Sequence, residues 1–186
     1  MRVGLIVDSA CDLPYEFSRK HDLFVLPVTA VIDGQTYIDK HDPVRTQEFY
    51  QSGLLQKGHQ AETRAFTAEQ IHDLFMEKIV TQFDVAICET VTKTRSLIFQ
   101  NATEAMNSVL ANYEGARHAA GRDGRFFMRV IDSKQIFAGQ GLLAAHTLKL
   151  IDQNVSKNAL RHEVETFSDR IYTCVIPRDL HYTIRA

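Results

Sequence analysis

The chain has 186 residues, 45% hydrophobic and 24% charged, which is the ordinary globular range, with enough for one sizeable core and the start of a second. A net charge of −2 and a pI near 6.4, with no basic run, exclude a phosphate-tracking surface for nucleic acid. No apolar stretch approaches the roughly 20 residues a membrane span requires, so the sequence predicts no stable membrane insertion and a cytoplasmic location.

The predicted elements begin with residues 3–7, an unbroken apolar run that suits a parallel strand covered on both faces and closed by Asp8-Ser9. Pro14 fits the first turn of a helix to about Lys20. Residues 24–28 read as a second strand, and residues 31–39 hold the turn dipeptide Asp33-Gly34, which fits a hairpin or a bent extended segment. Residues 51–66 are polar and lack a period, which marks a long loop. Thr67 and Gln70 have capping-box spacing, and Ile71, Leu74, Phe75 and Ile79 form one apolar face, so a helix is expected over residues 68–81.

A strand over residues 83–88 is followed by the polar segment 89–94 and a helix over 96–112 with Ile98, Ala102, Ala105, Met106 and Val109 at helical spacing. Residues 115–124 read as a surface loop, residues 126–131 as a strand ending in Asp132-Ser133, and Leu142, Leu143, His146, Leu150 and Ile151 mark another helix. Ser156 is placed to cap a further helix, and residues 171–176 read as a strand before Pro177. Strands and helices alternate nearly throughout, which predicts an α/β fold: a mainly parallel sheet with helices on both faces, joined by right-handed crossovers.

In such sheets ligands bind beyond the carboxyl ends of the strands, where loops converge and helix N-termini present free N–H groups. Three of the loops expected there carry hydroxyls: Asp8-Ser9, residues 90–96 and Asp132-Ser133. Each alone is more readily a helix cap, and only the three together bring an anionic oxygen ligand level with that reading. Catalytic signatures are missing: no GxSxG, GxGxxG or GxxxxGK[ST] occurs, and the eight histidines make no metal-binding helix face. No cofactor or metal is expected, since Cys11, Cys88 and Cys174 are widely spaced. Gly139 and Gly141 flank Gln140 before a helix, where close helix-to-sheet approach is the main reason for glycine. His146 reads as a packed histidine, and His181 and Tyr182 as ordinary helix residues.

The segment Asp8-Ser9-Ala10-Cys11-Asp12-Leu13-Pro14 resembles the opening signature of the bacterial DegV family. Val25-Leu26-Pro27-Val28, then Gly34-Gln35-Thr36-Tyr37-Ile38-Asp39, and later Ile131-Asp132-Ser133 with Gly139-Gln140-Gly141, resemble further family segments in the expected order. The resemblance implies a two-domain protein that holds a long-chain fatty acid and presents its carboxylate to a partner fatty acid kinase, with no catalysis of its own. Residues 1–170 would then be the α/β lipid-binding domain. Residues 171–186, in which Asp179-Leu180-His181-Tyr182 resembles the family's opening helix, would begin a second domain that is mostly absent through truncation.

The family's carboxylate-binding segments fall on residues 63–67 and 92–98. Thr63 and Thr92 keep hydroxyls that could chelate a carboxylate, Ser96 keeps another, and the family's glycine is replaced at Leu97. Arg64 and Lys93 are additions that would bring positive charge and favour a more strongly anionic head group. The predicted ligand-binding set is therefore Ser9, Thr63, Arg64, Thr92, Lys93 and Ser96. Two other readings stand beside the carrier. One is an enzyme acting on a small phosphorylated or keto substrate with Asp8 or Asp132 as general base. The other is a degenerate interaction module, whose mark would be a crevice filled by Phe66, Leu97 and Ile98.

Overall fold

The computed structural model describes residues 1–56 and 58–177. Strand β1 (Val3–Asp8) leads through helix α1 (Tyr15–Lys20) to β2 (Phe24–Leu26), and the chain then leaves for β3 (Val28–Ile32) and β4 (Gln35–Asp39). Helix α2 (Pro43–Gln51), strand β5 (Ala61–Ala65) and helix α3 (Ala68–Leu74) follow, α3 continuing as a π-helical stretch over Phe75–Val80. The second half runs β6 (Val85–Thr90), α4 (Ile98–Asn112), α5 (Glu114–Ala119), β7 (Phe127–Asp132), α6 (Phe137–Asp152) and α7 (Lys157–Ser168). No helix among the described residues is long and apolar enough to cross a membrane.

The main sheet is parallel, in the order β2-β1-β6-β7, and a smaller antiparallel sheet is ordered β4-β3-β5. Successive side chains of a strand point to opposite faces, so each apolar strand of the main sheet feeds two cores. Leu5, Val7 and Ile87 pack with Leu143, Ala144 and Leu148 of α6 and with Leu160 and Val164 of α7. On the other face Ile6, Cys88 and Met128 pack with Ile71 of α3, Phe75, and Ile98, Ala102 and Met106 of α4. Each Leu, Ile, Val, Phe or Met among them contributes about 1.5–3 kcal/mol when fully buried. The predicted α/β architecture with helices on both faces is therefore present. Gly4 is required within β1, because a Cβ there would come within 2.7 Å of the Phe83 ring.

Several local expectations change. The strand expected over 24–28 is two strands of different sheets, because Pro27 offers no N–H to continue the ladder. The hairpin at Asp33-Gly34 forms as β3–β4. The loop expected over 51–66 contains β5, an exposed edge strand of Ala, Glu, Thr and Arg whose pairing with β3 leaves no apolar alternation to read. Helix α2 starts at an Asp42 cap, whose carboxylate accepts the Arg45 N–H at 2.9 Å, with Pro43 in the first turn. The loop expected over 115–124 begins as helix α5. Residues 171–176 form no strand, since no ladder among the described residues reaches them. His181, Tyr182 and the segment resembling the second domain's first helix lie outside the described residues.

Candidate functional site

The carboxyl ends of β1, β6 and β7 lie side by side, and backbone ladders carry the adjacency into the turns beyond them. Thr90 pairs with Asp132, the Ser133 N–H donates to the Thr90 carbonyl at 3.1 Å, and the Thr92 N–H donates to the Gln135 carbonyl at 2.9 Å. Across the other border, Asp8 accepts the Val91 N–H at 2.5 Å. The turns that hold Ser9, Thr92 and Ser133 therefore meet at one edge of the sheet.

Four of the six predicted residues, Ser9, Thr92, Lys93 and Ser96, lie at this edge. Ser9 is almost fully buried; its hydroxyl oxygen accepts the Val28 N–H at 3.1 Å, and its carbonyl oxygen lies 2.6 Å from His41 Nε2. The hydroxyls of Thr92 and Thr94 lie 3.2 Å apart, and the Ser96 hydroxyl accepts the Ile98 N–H at 3.2 Å, opening α4. Lys93 donates its N–H to Asp132 Oδ1, and its ammonium stands 3.9 Å from Asp132 Oδ2. Beside this loop a cleft of about 490 Å³ is lined by Lys93, Ser96, Leu97, Phe99, Thr103 and Glu104. Ile98 belongs to the core and Phe66 is half-buried against it, while Leu97 is 66% exposed, so these three residues do not fill the cleft.

Thr63 and Arg64 sit on β5, opposite Ala30 and Thr29 of β3. Neighbours on a strand face opposite ways, so the two cannot turn toward one ligand together. Arg64 Nε binds Glu62 Oε1 at 2.7 Å on its own face. Each of the two additional cations thus stands near an acid, and both remain largely exposed, with Lys93 lining the cleft. The small sheet rises from the crevice edge: Val28, bonded to Ser9, pairs with Ala65, and the Phe66 carbonyl accepts the Asn101 side chain of α4 at 2.7 Å.

Several residues of the site escape a reading of the sequence. Glu89 lies inside β6, fully buried, where the sequence suggests a polar loop. Burial raises its carboxyl to about 8, against a hydrogen bond from Thr147 of α6 that favours the ionised form. Asp8, also fully buried, is raised to about 6 by burial, opposed by hydrogen bonds from Val91, Ala10 and Gln140 and by the charge of His41. Gln140 donates to the Glu89 carbonyl at 3.2 Å. Gln135 ties the crevice to the chain beyond α7 through Nε2 to the Ile171 carbonyl and Oε1 from the Thr173 hydroxyl. An acidic residue closing the apolar run Val85-Ala86-Ile87-Cys88 is the one available signal for Glu89.

The glycines flanking Gln140 serve close approach to neighbouring loops rather than to the sheet: a Cβ on Gly141 would overlap the Asp12 carbonyl, and one on Gly139 the Thr173 hydroxyl. His146 stacks on Phe167 with ring centroids 3.9 Å apart, in keeping with a packed histidine, and burial lowers its pKa.

Comparison with known proteins places this geometry. The model of the DegV family, described as uncharacterised, matches residues 2–186. A DegV domain-containing protein of Xanthomonas axonopodis pv. citri is 41% identical over 98% of this chain and 58% of its own length. One from Caldanaerobacter subterraneus is 26% identical over 99% of this chain and 59% of its own length. Among solved structures, a stearic acid-binding protein from Eubacterium ventriosum aligns with TM-score 0.72 at 27% identity, over 88% of this chain and 52% of that one. A DegV lipid binding protein from Thermotoga maritima aligns with TM-score 0.76 at 17% identity, over 91% and 55%. The chain spans a little under three fifths of the length of these curated relatives. With the sheet order, the gathered hydroxyl turns and a match along nearly every residue, the chain belongs to the DegV family.

Proposed function

We propose that this chain is the carrier domain of a fatty-acid-binding protein, which holds a long-chain carboxylate at the carboxyl edge of the main sheet and presents it to a partner kinase. The observation that carries the reading is the meeting of the Ser9, Thr92 and Ser133 turns at one sheet edge, beside the cleft bordered by Ser96 and Phe99. The hydroxyls of Thr92, Thr94 and Ser96 on the accessible side of this edge can bind one carboxylate without a full counter-charge, whereas the Ser133 hydroxyl is buried and donates to the Gln135 carbonyl. Relatives described with stearic, vaccenic and heptadecanoic acid support the ligand class. Ser9, Thr63, Thr92 and Ser96 hold the head group in this reading, and Arg64 and Lys93, both largely exposed, add positive charge around it. In this reading residues 1–170 are the carrier domain and residues 171–186 lead toward a second one, although Ile171 still packs in the core of the first; the relatives are longer than this chain. The protein works in the cytoplasm, without a cofactor or catalysis of its own. Both Asp8 oxygens already accept backbone N–H groups, which argues against Asp8 as a general base.

Mass spectrometry of lipid extracted from the purified protein tests this. A long-chain fatty acid is expected in near-equal molar amount, since each buried CH₂ contributes about 0.8 kcal/mol and such a ligand survives purification. Thr63→Ala combined with Thr92→Ala should lose at least nine tenths of it. Protein that carries no lipid, and takes up none when oleate is offered, overturns the reading.

A further inference from the structure

The Asp8 carboxylate does more than close β1. Its Oδ1 accepts the Ala10 N–H at 3.0 Å and its Oδ2 the Val91 N–H at 2.5 Å, so one buried carboxylate ties the turn bearing Ser9 to the turn bearing Thr92. Beneath it, Gln140 of α6 touches both Asp8 and the Glu89 carbonyl, and Thr147, two helical turns further on, donates to Glu89 Oε1. Within this group Glu89 Oε2, Gln140 Oε1 and Thr90 Oγ1 are buried without a hydrogen-bond partner. Two of the three are pure acceptors, so the network is short of donors. The proton that Glu89 holds supplies one, and leaves Asp8 as the carboxyl whose charge changes.

We propose that Asp8, Gln140 and Glu89 form a proton-sensing latch: ionised Asp8 fixes the Val91 turn for ligand holding, and its protonation frees that turn and releases the head group. The ligand half of this statement rests on the carrier reading, whereas the latch does not. The groups that face Asp8 are Cys88 from β6, on which Glu89 also acts, and His41 from the turn after β4. From the turn after β1 it faces Cys11, and Asp12 also acts on that thiol. Burial holds Cys11, Cys88 and Glu89 toward their neutral forms, so His41 is the nearby group able to carry a positive charge, and it is bonded to Ser9. With Asp8 raised to about 6, its proton is taken up in the mildly acidic range, while Glu89 already holds its own. A neutral carboxyl is a weaker acceptor than a carboxylate, by roughly half. Of the two bonds that weaken, the one to Ala10 spans a single turn, whereas the one to Val91 joins two turns far apart in sequence, so its loss is the one that frees a turn.

NMR of the chain itself tests the latch without any ligand. The Asp8 carboxyl ¹³C shift and the Val91 amide shift should titrate together, and Val91 exchange, corrected for its intrinsic pH dependence, should rise at least tenfold between pH 7.5 and 5. In Asp8→Asn, Val91 should exchange fast and equally at both pH values. Retention of cis-parinarate should fall with the same midpoint. Val91 protection that stays constant from pH 7.5 to 5 overturns the latch, and parinarate held equally across that range then leaves carriage standing. Coincident titration with no parinarate bound at any pH supports the latch and refutes carriage.

Discussion

Glu89 costs the fold stability over part of the pH range. Its carboxyl sits between β6 and α6, fully buried, with one oxygen hydrogen-bonded to Thr147 and the other without a partner. Its pKa rises from 4.5 to about 8 on folding. Between those values the folded chain holds a proton that the unfolded chain has lost. Stability is therefore fully present below about pH 4.5, falls by up to about 1.4 kcal/mol per pH unit as pH rises, and levels off above the folded value. Glu89→Gln keeps the shape of the neutral acid and removes its titration. The variant should show a urea midpoint above that of the parent at pH 8.5, with the gap closing toward pH 5. Equal midpoints at both pH values would mean that Glu89 reaches solvent. The same residue shows why the site is only partly legible in the chain. Ser9, Thr92 and Ser133 announce themselves as hydroxyls after apolar runs, whereas Glu89 reads as one more polar loop residue until β6 is seen to run through Thr90.

Helix α6 owes its position to two absent side chains. Gly141 lies against the Asp12 carbonyl of the turn after β1, and backbone cannot move aside as a flexible side chain can. Gly141→Ala should cost about 2 kcal/mol through overpacking, seen as a lowered urea midpoint with the helical circular dichroism retained below the transition. A loss under a few tenths would show that the turn gives way freely. The elements legible in the sequence are those whose burial has a period: β1, β6, β7, α4 and α6 each carry an apolar run or stripe because a core lies against them. Those that escape lack such a stripe. Helix α2 has no buried residue, β5 is exposed along most of its length, and α5 buries Arg117 rather than an apolar side chain. Residues 171–176 fail in the opposite sense, for their β-branched composition suits a strand but no partner is within reach among the described residues. Propensity alone does not make a ladder.

At the scale of the whole molecule, the two ends of the main sheet do different work. At the carboxyl edge, buried acids and hydroxyls gather where a ligand would sit. At the amino edge, Arg117, 2% exposed, closes the fold. Its Nη1 donates to the Val80 and Phe83 carbonyls at 3.0 and 2.6 Å, its Nε to the Gly124 carbonyl, and its Nη2 to Asp84 Oδ1 at 3.1 Å. It thus gathers the end of the π-helical stretch, the entry to β6 and the turn before β7. Asp84 also accepts the Arg2 N–H and binds Arg122, and these donors hold its carboxyl well below the usual carboxylate range. Its contribution is present above the unfolded value of 3.8 and is lost only as pH falls through the lower folded one, so mild acid does not loosen this edge. Arg117→Met fills similar volume but strands two buried carbonyls and leaves Asp84 with fewer donors, which should cost about 3 kcal/mol. The six residues of β6 span roughly 20 Å between the two edges. The variant should therefore lower the urea midpoint yet leave the Val91 amide resonance at pH 7 where it is in the parent. A Val91 shift as large as that of its neighbours near Arg117 would instead show the two edges to be mechanically coupled, and stability and ligand holding could not then be altered separately.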